Sequence, residues 1–383
     1  MFLFNRSSTD KRRVRIVDYA HMAWSYAHGN ATPLSCMLEV NGVKQMVDTT
    51  IPAYTIKALH RYAKEGAYPL VVCFDSRGCS ACRKVYFSKI FGVDEKLDGK
   101  GYKARREVPD GKFFDGINMT MEFLHKAGIT VLRGEHYEAD DLIKASVDAA
   151  KRMYPELPID IITGDHDLVP LVDEQVSVFL RSVKTTWAES KDIEIPHYVQ
   201  ITPKNYQEHL EGLSCYKTSK LRIPYNTVLL AKLLRGDKSD EVPGKADWKP
   251  KMYNQLVDIL TQNEDIANLF VYDAPTKTVV YRSSMQPVPA NLIASTPREQ
   301  MAVVYGEPPA LTRICEVLGK YCEPEDLSHV RNIYNGINLN GAFTGLPEGF
   351  NRNPAVVTSE IKGYSPIALQ AAVERLQIRI PNI

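Results

Sequence analysis

The chain has 383 residues, 44% of them hydrophobic and 24% charged, with 47 Lys and Arg against 46 Asp and Glu. That balance excludes a disordered chain, a collagen-like fibre and a coiled coil, and the length exceeds what one core usually organises, so two packed domains or one elaborated domain are expected. No run approaches the roughly 20 apolar residues of a bilayer helix, the first residues lack a secretion-signal layout, and seven cysteines without framework spacing suit a reducing, cytoplasmic setting.

Lys11-Arg12-Arg13 leads into Val14-Arg15-Ile16-Val17, a short apolar run that stops at Asp18. Helical spacing over 51–65 precedes a second run, Leu70-Val71-Val72-Cys73-Phe74, which stops at Asp75. A helix over 116–127, the strand Ile129-Thr130-Val131-Leu132 and a helix over 139–154 follow. Ile159-Asp160-Ile161-Ile162 then passes through Thr163-Gly164 to Asp165 and Asp167, and Val176-Ser177-Val178-Phe179-Leu180 closes the series. Strand alternating with helix predicts an α/β fold, a parallel sheet flanked by helices that binds ligands outside the carboxyl ends of its strands. Beyond residue 210 the texture changes to a helix over 225–234, the turn Gly236…Gly244, a helix over 252–262, and further helices separated by Pro- and Gly-rich loops. The final thirty or so residues carry no functional signal.

The acids fall in a pattern. In Tyr137-Glu138-Ala139-Asp140-Asp141, a helix starting near Glu138 puts Glu138 and Asp141 on one face, with helix capping as the alternative explanation. Asp165 and Asp167 share one side of an extended chain or form an Asx turn, and Asp237 and Asp240 flank Lys238-Ser239 in a hairpin. Taken together, nine acids (Asp18, Asp75, Glu138, Asp140, Asp141, Asp165, Asp167, Asp237, Asp240) stand at strand ends, one helix start and one turn, places an α/β sheet gathers at a single edge. So many like charges repel unless cations neutralise them or most become protonated. All-oxygen donors without paired His or Cys point to Mg²⁺, with Mn²⁺ as a substitute, rather than zinc. Two such ions about 3.5–4 Å apart clamp the attacking and leaving oxygens of a phosphodiester.

Between Arg77 and Lys112 ten Lys/Arg face five Asp/Glu, an excess of five in a chain whose total is +1. Arg77, Arg83, Lys84, Lys103, Arg105 and Arg106, interleaved with Tyr86, Phe87, Phe91 and Tyr102, suit a polyanion with stackable bases, against the alternative of a solvated loop. Gly236…Gly244 between two helices reads as a helix–hairpin–helix whose Gly236, Lys238, Ser239, Gly244 and Lys245 would grip phosphates without reading sequence. Cys79-Ser80-Ala81-Cys82 is a single C-x-x-C and reads as ordinary free cysteines; His21, His125, His136 and His166 lack metal spacing, and Trp24, Trp187 and Trp248 read as packing residues.

Val17-Asp18, Phe74-Asp75, Tyr102-Lys103-Ala104-Arg105-Arg106, Tyr137-Glu138-Ala139-Asp140-Asp141, Thr163-Gly164-Asp165-His166-Asp167-Leu168 and Gly236-Asp237-Lys238-Ser239-Asp240…Pro243-Gly244 occur in an order that resembles the 5′ nucleases, the phage and bacterial 5′→3′ exonucleases and flap endonucleases. The resemblance implies a PIN-like nuclease domain over 1–205 with a basic arch over 77–112, a helical domain over 206–345 with its helix–hairpin–helix over 225–262, and a tail over 346–383. It also implies a stand-alone, monomeric enzyme of the phage type, working in the host cytoplasm in replication or repair. Its substrate would be DNA with a free 5′ end (a flap, nick or duplex end) or an RNA–DNA hybrid. Asp18, Asp75, Glu138, Asp140 and Asp141 would build one metal site, with Asp165, Asp167, Asp237 and Asp240 at the second and K⁺ at the hairpin. Lys103 and Arg106 would contact the scissile phosphate, and Tyr102 would stack on a base. The interval from Asp75 to Tyr102 is longer than in compact phage members, and Glu241 stands where members often have Asn. A catalytically silent DNA-structure binder and a PIN-type ribonuclease are the competing expectations.

Overall fold

A parallel run of five strands organises the molecule: β1 (Arg13–Asp18), β4 (Ala67–Phe74), β5 (Thr130–Arg133), β6 (Ile159–Thr163) and β7 (Val176–Arg181). With the edge strand β8 (Tyr198–Ile201), antiparallel to β7, they form a six-stranded sheet in the order β5-β4-β1-β6-β7-β8. The computed structural model describes residues 12–28, 31–40, 42–76, 78–92, 101–104, 110–134, 137–181, 198–205, 236–237, 240–244, 270–273, 278–281, 315–316, 318–320, 322–337, 361 and 363–376. Among these, no helix is long and apolar enough to cross a membrane.

The strands read as continuous apolar runs because both faces are covered. Val14, Ile16, Val71, Cys73, Ile159 and Ile161 enter one core, shared with α3 (Ala81–Phe91), α5 (Ala139–Met153) and α6 (Pro324–Ile337). The alternate positions Val17, Val72, Phe74, Ile162 and Phe179 enter the other, shared with α1 (Tyr19–His28), α2 (Thr50–Lys64), α4 (Gly111–Lys126) and α7 (Pro366–Arg375). Near the amino end of β1, Arg15 is fully buried opposite its register partner Asp160, 3.1 Å away, and also pairs with Glu65. Arg13 reaches the same Asp160 at 3.2 Å. Charge there is paired within the protein.

The five expected strands and the helices expected over 51–65, 116–127 and 139–154 are present, and several elements add to them. β2 (Ser35–Val40) and β3 (Val43–Asp48) form an antiparallel ribbon that the reading above passes over. Its signal is Asn41-Gly42 between two β-rich runs, and Gly42 takes φ +78° there. The first part of the basic segment folds as α3 rather than as a solvated loop. α4 starts at Gly111, before the apolar spacing begins, because the side chain of Asp110 caps it by accepting from the Phe113 N–H at 2.9 Å. In the region read as helices and loops, Phe270–Asp273 (β11) pairs with Thr278–Tyr281 (β12), a ribbon favoured by the β-branched and aromatic residues of FVYD and TVVY. The hairpin turn is present as β9 (Gly236–Asp237) and β10 (Val242–Pro243), whereas its flanking helices over 225–234 and 252–262 lie outside the described residues.

The segment that carried no functional signal also has a place in the fold. Tyr364 donates from its hydroxyl to the carbonyl of Ala67 at 2.9 Å, and the amide of Ser365 donates to Ala127. α7 then buries Leu369, Ala372 and Val373, followed by Leu376, in the core beneath α2 and α4.

Candidate active site

Because β4, β1 and β6 are adjacent and parallel, the residues just past them lie at one sheet edge. Asp18 ends β1; its register partner is Cys73, two residues before Asp75, while Val17 pairs with Ile162 near the end of β6. Asp18 accepts from the Thr163 hydroxyl at 2.7 Å and from the His21 amide at 3.4 Å. Burial, with Asp75 and Asp165 adding repulsion, pushes its pKa up to about 7 despite the Thr163 bond. Asp75 keeps a face open to solvent, yet desolvation by the surrounding protein and then Glu138 raise its pKa; the Ala139 amide, 2.7 Å away, offsets part of this. Asp140 is raised well above the ordinary carboxylate range by burial, then by Asp165, with Asp18 and Glu138 contributing. Asp165 accepts from the Asp167 amide at 2.8 Å and caps the 3₁₀ turn His166–Leu171, so the Asx-turn geometry is present beside the charge cluster.

Glu138 and Asp141 differ from these acids in being neutralised from within. Asp141 accepts from the Glu138 amide at 3.1 Å, which is the capping arrangement at the start of α5. The guanidinium of Arg83 bridges both carboxylates, donating to Glu138 Oε2 and, at 2.7 Å, to Asp141 Oδ1. Glu138 also accepts from the Ser80 hydroxyl, from Tyr102 at 3.0 Å and from Lys103 Nζ at 2.9 Å. Burial alone would raise its pKa, but Arg83 and then Lys103 more than reverse this and hold it well below the usual range. Tyr102 and Lys103 extend the network to the hairpin turn: the Tyr102 hydroxyl lies 3.2 Å from Asp240 Oδ2, Lys103 Nζ 3.7 Å from it, and the Lys103 amide donates to the Asp240 carbonyl. Lys103 adopts φ +55° to do so.

Asp18, Asp75, Glu138, Asp140, Asp141 and Asp165 thus share one neighbourhood, with Asp240 joined to it through Lys103 and Tyr102. Asp167 follows two residues after the Asp165 cap. Asp237 lies in β9, and the side chain of Asp237, together with Arg77, Arg105, Arg106, Lys238, Ser239 and Lys245, lies outside the described residues. Two residues expected to contact DNA are buried in this structure. Arg83 is 3% exposed, with its guanidinium directed to acids of the protein rather than outward. Tyr102 is 4% exposed, its ring stacked on Phe87 at 5.3 Å, so neither face is open to a base. The reason is α3: its helical spacing turns Cys82, Arg83, Tyr86 and Phe87 inward. Tyr86 and Phe87 are therefore core residues too, and Trp24 is 41% exposed, stacked on His28 at the end of α1. Ser80 and Thr163, which orient Glu138 and Asp18, carried no signal in the sequence beyond their proximity to the acids.

Residues 38–200, which hold the acids of this site except Asp18, Asp237 and Asp240, match the family model described as the 5′-3′ exonuclease, N-terminal resolvase-like domain. The match to that family is confined to this segment, less than half of the chain. Two curated relatives illustrate its range. The thermostable DNA polymerase I of Thermus filiformis is 27% identical over 235 residues, 61% of this chain and 22% of the polymerase. The 5′-3′ exonuclease of Mycoplasma pneumoniae is 32% identical over 169 residues, 44% of this chain and 50% of that one. This chain therefore spans half or less of the length of these relatives. Among solved structures, the D15 protein of phage T5 co-crystallised with metal ions is 15% identical with a TM-score of 0.44, covering 85% of this chain and 100% of that chain.

The residues of this exonuclease-type domain suit a hard divalent cation in their chemistry. Asp18, Asp75, Asp140 and Asp165 supply only oxygen, and their mutual repulsion is what a cation would relieve. Among the described residues, no three His, Cys, Asp or Glu side chains already converge on a common coordination point. Cys79, whose Sγ lies 3.7 Å from Asp75, has its thiol pushed up to about 12 by burial and then by Asp75 and Glu138, so it stays protonated at neutral pH, in keeping with the reading of the C-x-x-C as free cysteines.

Proposed function

We propose that this chain is a divalent-metal-dependent 5′ nuclease that hydrolyses phosphodiester bonds near a free 5′ end of DNA. The observation that carries the reading is the set of mutually repelling carboxylates at the carboxyl ends of three adjacent parallel strands, most of them within the segment that matches the 5′-3′ exonuclease family. Asp18, Asp75, Asp140 and Asp165 are the first candidates to hold Mg²⁺ or Mn²⁺, with Glu138, Asp141, Asp167, Asp237 and Asp240 around them. Bound there, paired ions would supply an activated water and neutralise the departing 3′-oxygen.

The chain's own residues account for the rest. Thr163 and the His21 amide orient Asp18, and the Ala139 amide orients Asp75. Lys103, at the rim between Glu138 and Asp240, is the described cation placed to meet a phosphate entering the site, where it would stabilise developing negative charge. Arg106 would join it from the same segment. The Gly236–Gly244 turn sits against Lys103, so the element expected to hold duplex backbone adjoins the acids.

The test is cleavage of 5′-labelled flap, nicked and blunt duplex DNA, with an RNA–DNA hybrid as a further arm. Mg²⁺ should support release of short products, and Asp165→Asn should abolish it. Equal cleavage in EDTA would overturn the metal-dependent reading.

A further inference from the structure

We infer that Arg83 is the resident counter-ion of Glu138 and Asp141, a positioning residue whose guanidinium a divalent cation must displace to reach those two carboxylates. The inference rests on the metal-dependent reading above. It starts from a division within the acid cluster. Asp18 and Asp75 take hydrogen bonds from a hydroxyl, a thiol and backbone amides, whereas Glu138 and Asp141 accept from the guanidinium of Arg83, and Glu138 also from Lys103. These bonds to Asp18 and Asp75 come from neutral groups, whereas Glu138 and Asp141 have a guanidinium set between them.

Arg83 is well fixed in that role. It is 3% exposed, and its two terminal nitrogens go to different carboxylates. A buried guanidinium between two acids is costly to extract because it leaves uncompensated charge behind. α3 is also pinned from outside: the Tyr86 hydroxyl donates to the Asn332 carbonyl on α6 at 3.1 Å, Phe91 packs against His329 of the same helix at 5.9 Å, and Phe87 stacks between Phe91 and Tyr102. The helix holding Arg83 over the acids is thereby braced by a segment far along the chain. A metal ion and the guanidinium need the same carboxylate oxygens, so occupancy by one opposes occupancy by the other.

The experiment uses the full chain and Mn²⁺ alone, with free Mn²⁺ followed by electron paramagnetic resonance and uptake confirmed by thermal unfolding. Arg83→Met keeps much of the aliphatic stem and removes the charge; it should unfold at lower temperature without metal and bind Mn²⁺ with a Kd about tenfold lower than the parent, a change equal to about 1.4 kcal/mol. Arg83→Lys keeps a charge but loses the two-pronged geometry, so its Kd should fall between the two, and it serves if Arg83→Met fails to fold. Mn²⁺ uptake by the parent with unchanged or weaker uptake by these variants would overturn the inference alone, showing that Arg83 builds the site rather than occupying it. No Mn²⁺ uptake by any of the proteins would overturn the metal-dependent reading and this inference with it.

Discussion

Gly164 sits between Thr163, which orients Asp18, and Asp165, and nothing about its backbone sign demands glycine; its neighbour does. A Cβ built on Gly164 would lie 2.1 Å from His21 Nδ1 and 2.2 Å from Cε1. That is more than an ångström short of the roughly 3.5 Å of ordinary contact. His21 follows Asp18 by three residues, and its amide donates to the Asp18 carboxylate, so a backbone shift of His21 to make room would act on Asp18. Gly164→Ala should therefore cost about 1–3 kcal/mol through overpacking, lowering Tm by about 2–4 °C for each kcal/mol. The catalytic loss should be larger than the stability loss suggests, about a hundredfold in kcat/KM, because an ångström-scale displacement of reacting groups is worth that much. Combining it with His21→Ala should recover part of both losses, since the two residues share one space and their effects should not add. Flap cleavage and urea denaturation of the two single variants and the double variant form the assay. A Gly164→Ala protein with parental Tm and activity, or a double variant whose losses simply sum, would refute this account of the glycine.

Asp165→Asn should lower flap cleavage by more than about a hundredfold, since even outer-shell partners of a metal are worth about 10–100-fold, while leaving folding intact by circular dichroism. On α7, Leu369→Ala should cost about 2–5 kcal/mol in urea denaturation because Leu369 is fully buried, whereas Ile367→Ala, at 72% exposed, should stay within about 0.5 kcal/mol. Asp18 carries a pH signature: its folded pKa of about 7 lies above the unfolded 3.8, so the stability it contributes is complete below about pH 4 and is lost as pH rises through 7. Metal-free protein should accordingly lose Tm between about pH 4 and 7, and Asp18→Asn should flatten that slope.

Much of this architecture could be read from local pattern. Val14–Val17, Leu70–Phe74 and Ile159–Ile162 are short, β-branched and bounded by acids, and a parallel sheet turns three such boundaries into one edge. Tyr137–Asp141 likewise joined a helix start to two adjacent acids, and both the capping and the clustering are present. What escaped notice depended on long-range partners. Arg83 lies 55 residues from Glu138 in sequence, and in a run of ten cations it looks like its neighbours. Only the helical turn of α3, which places it on the same face as Cys82, Tyr86 and Phe87, sends it inward, and that face is marked by aromatics that were read as stacking surfaces for bases. α7 was illegible for a related reason: its apolar face, centred on Leu369 and Val373, acquires meaning only once α2 and α4 exist to receive it.

The two ends of the sheet treat charge in opposite ways, and the contrast bears on how such a site is tolerated. Near the amino end, Asp160 meets Arg13 and Arg15, and Glu65 adds a further partner, so buried charge is matched inside the protein. At the carboxyl end, buried Asp18, half-buried Asp140 and Asp75, which keeps an open face, stand close enough for like charges to repel. A fold can carry that penalty only if the strands bearing the acids are secured elsewhere, and β1, β4 and β6 are: Val14, Ile16, Leu70, Val71, Ile159 and Ile161 are all fully buried, with helices on both faces. The penalty at the edge is also what makes the edge useful, since carboxylates whose repulsion Lys103 only partly offsets retain their appetite for an external cation. On this reasoning, substitutions that neutralise Asp18 or Asp140 should stabilise the metal-free protein while removing its activity, and a variant that gained stability and kept full activity would break the link between the two.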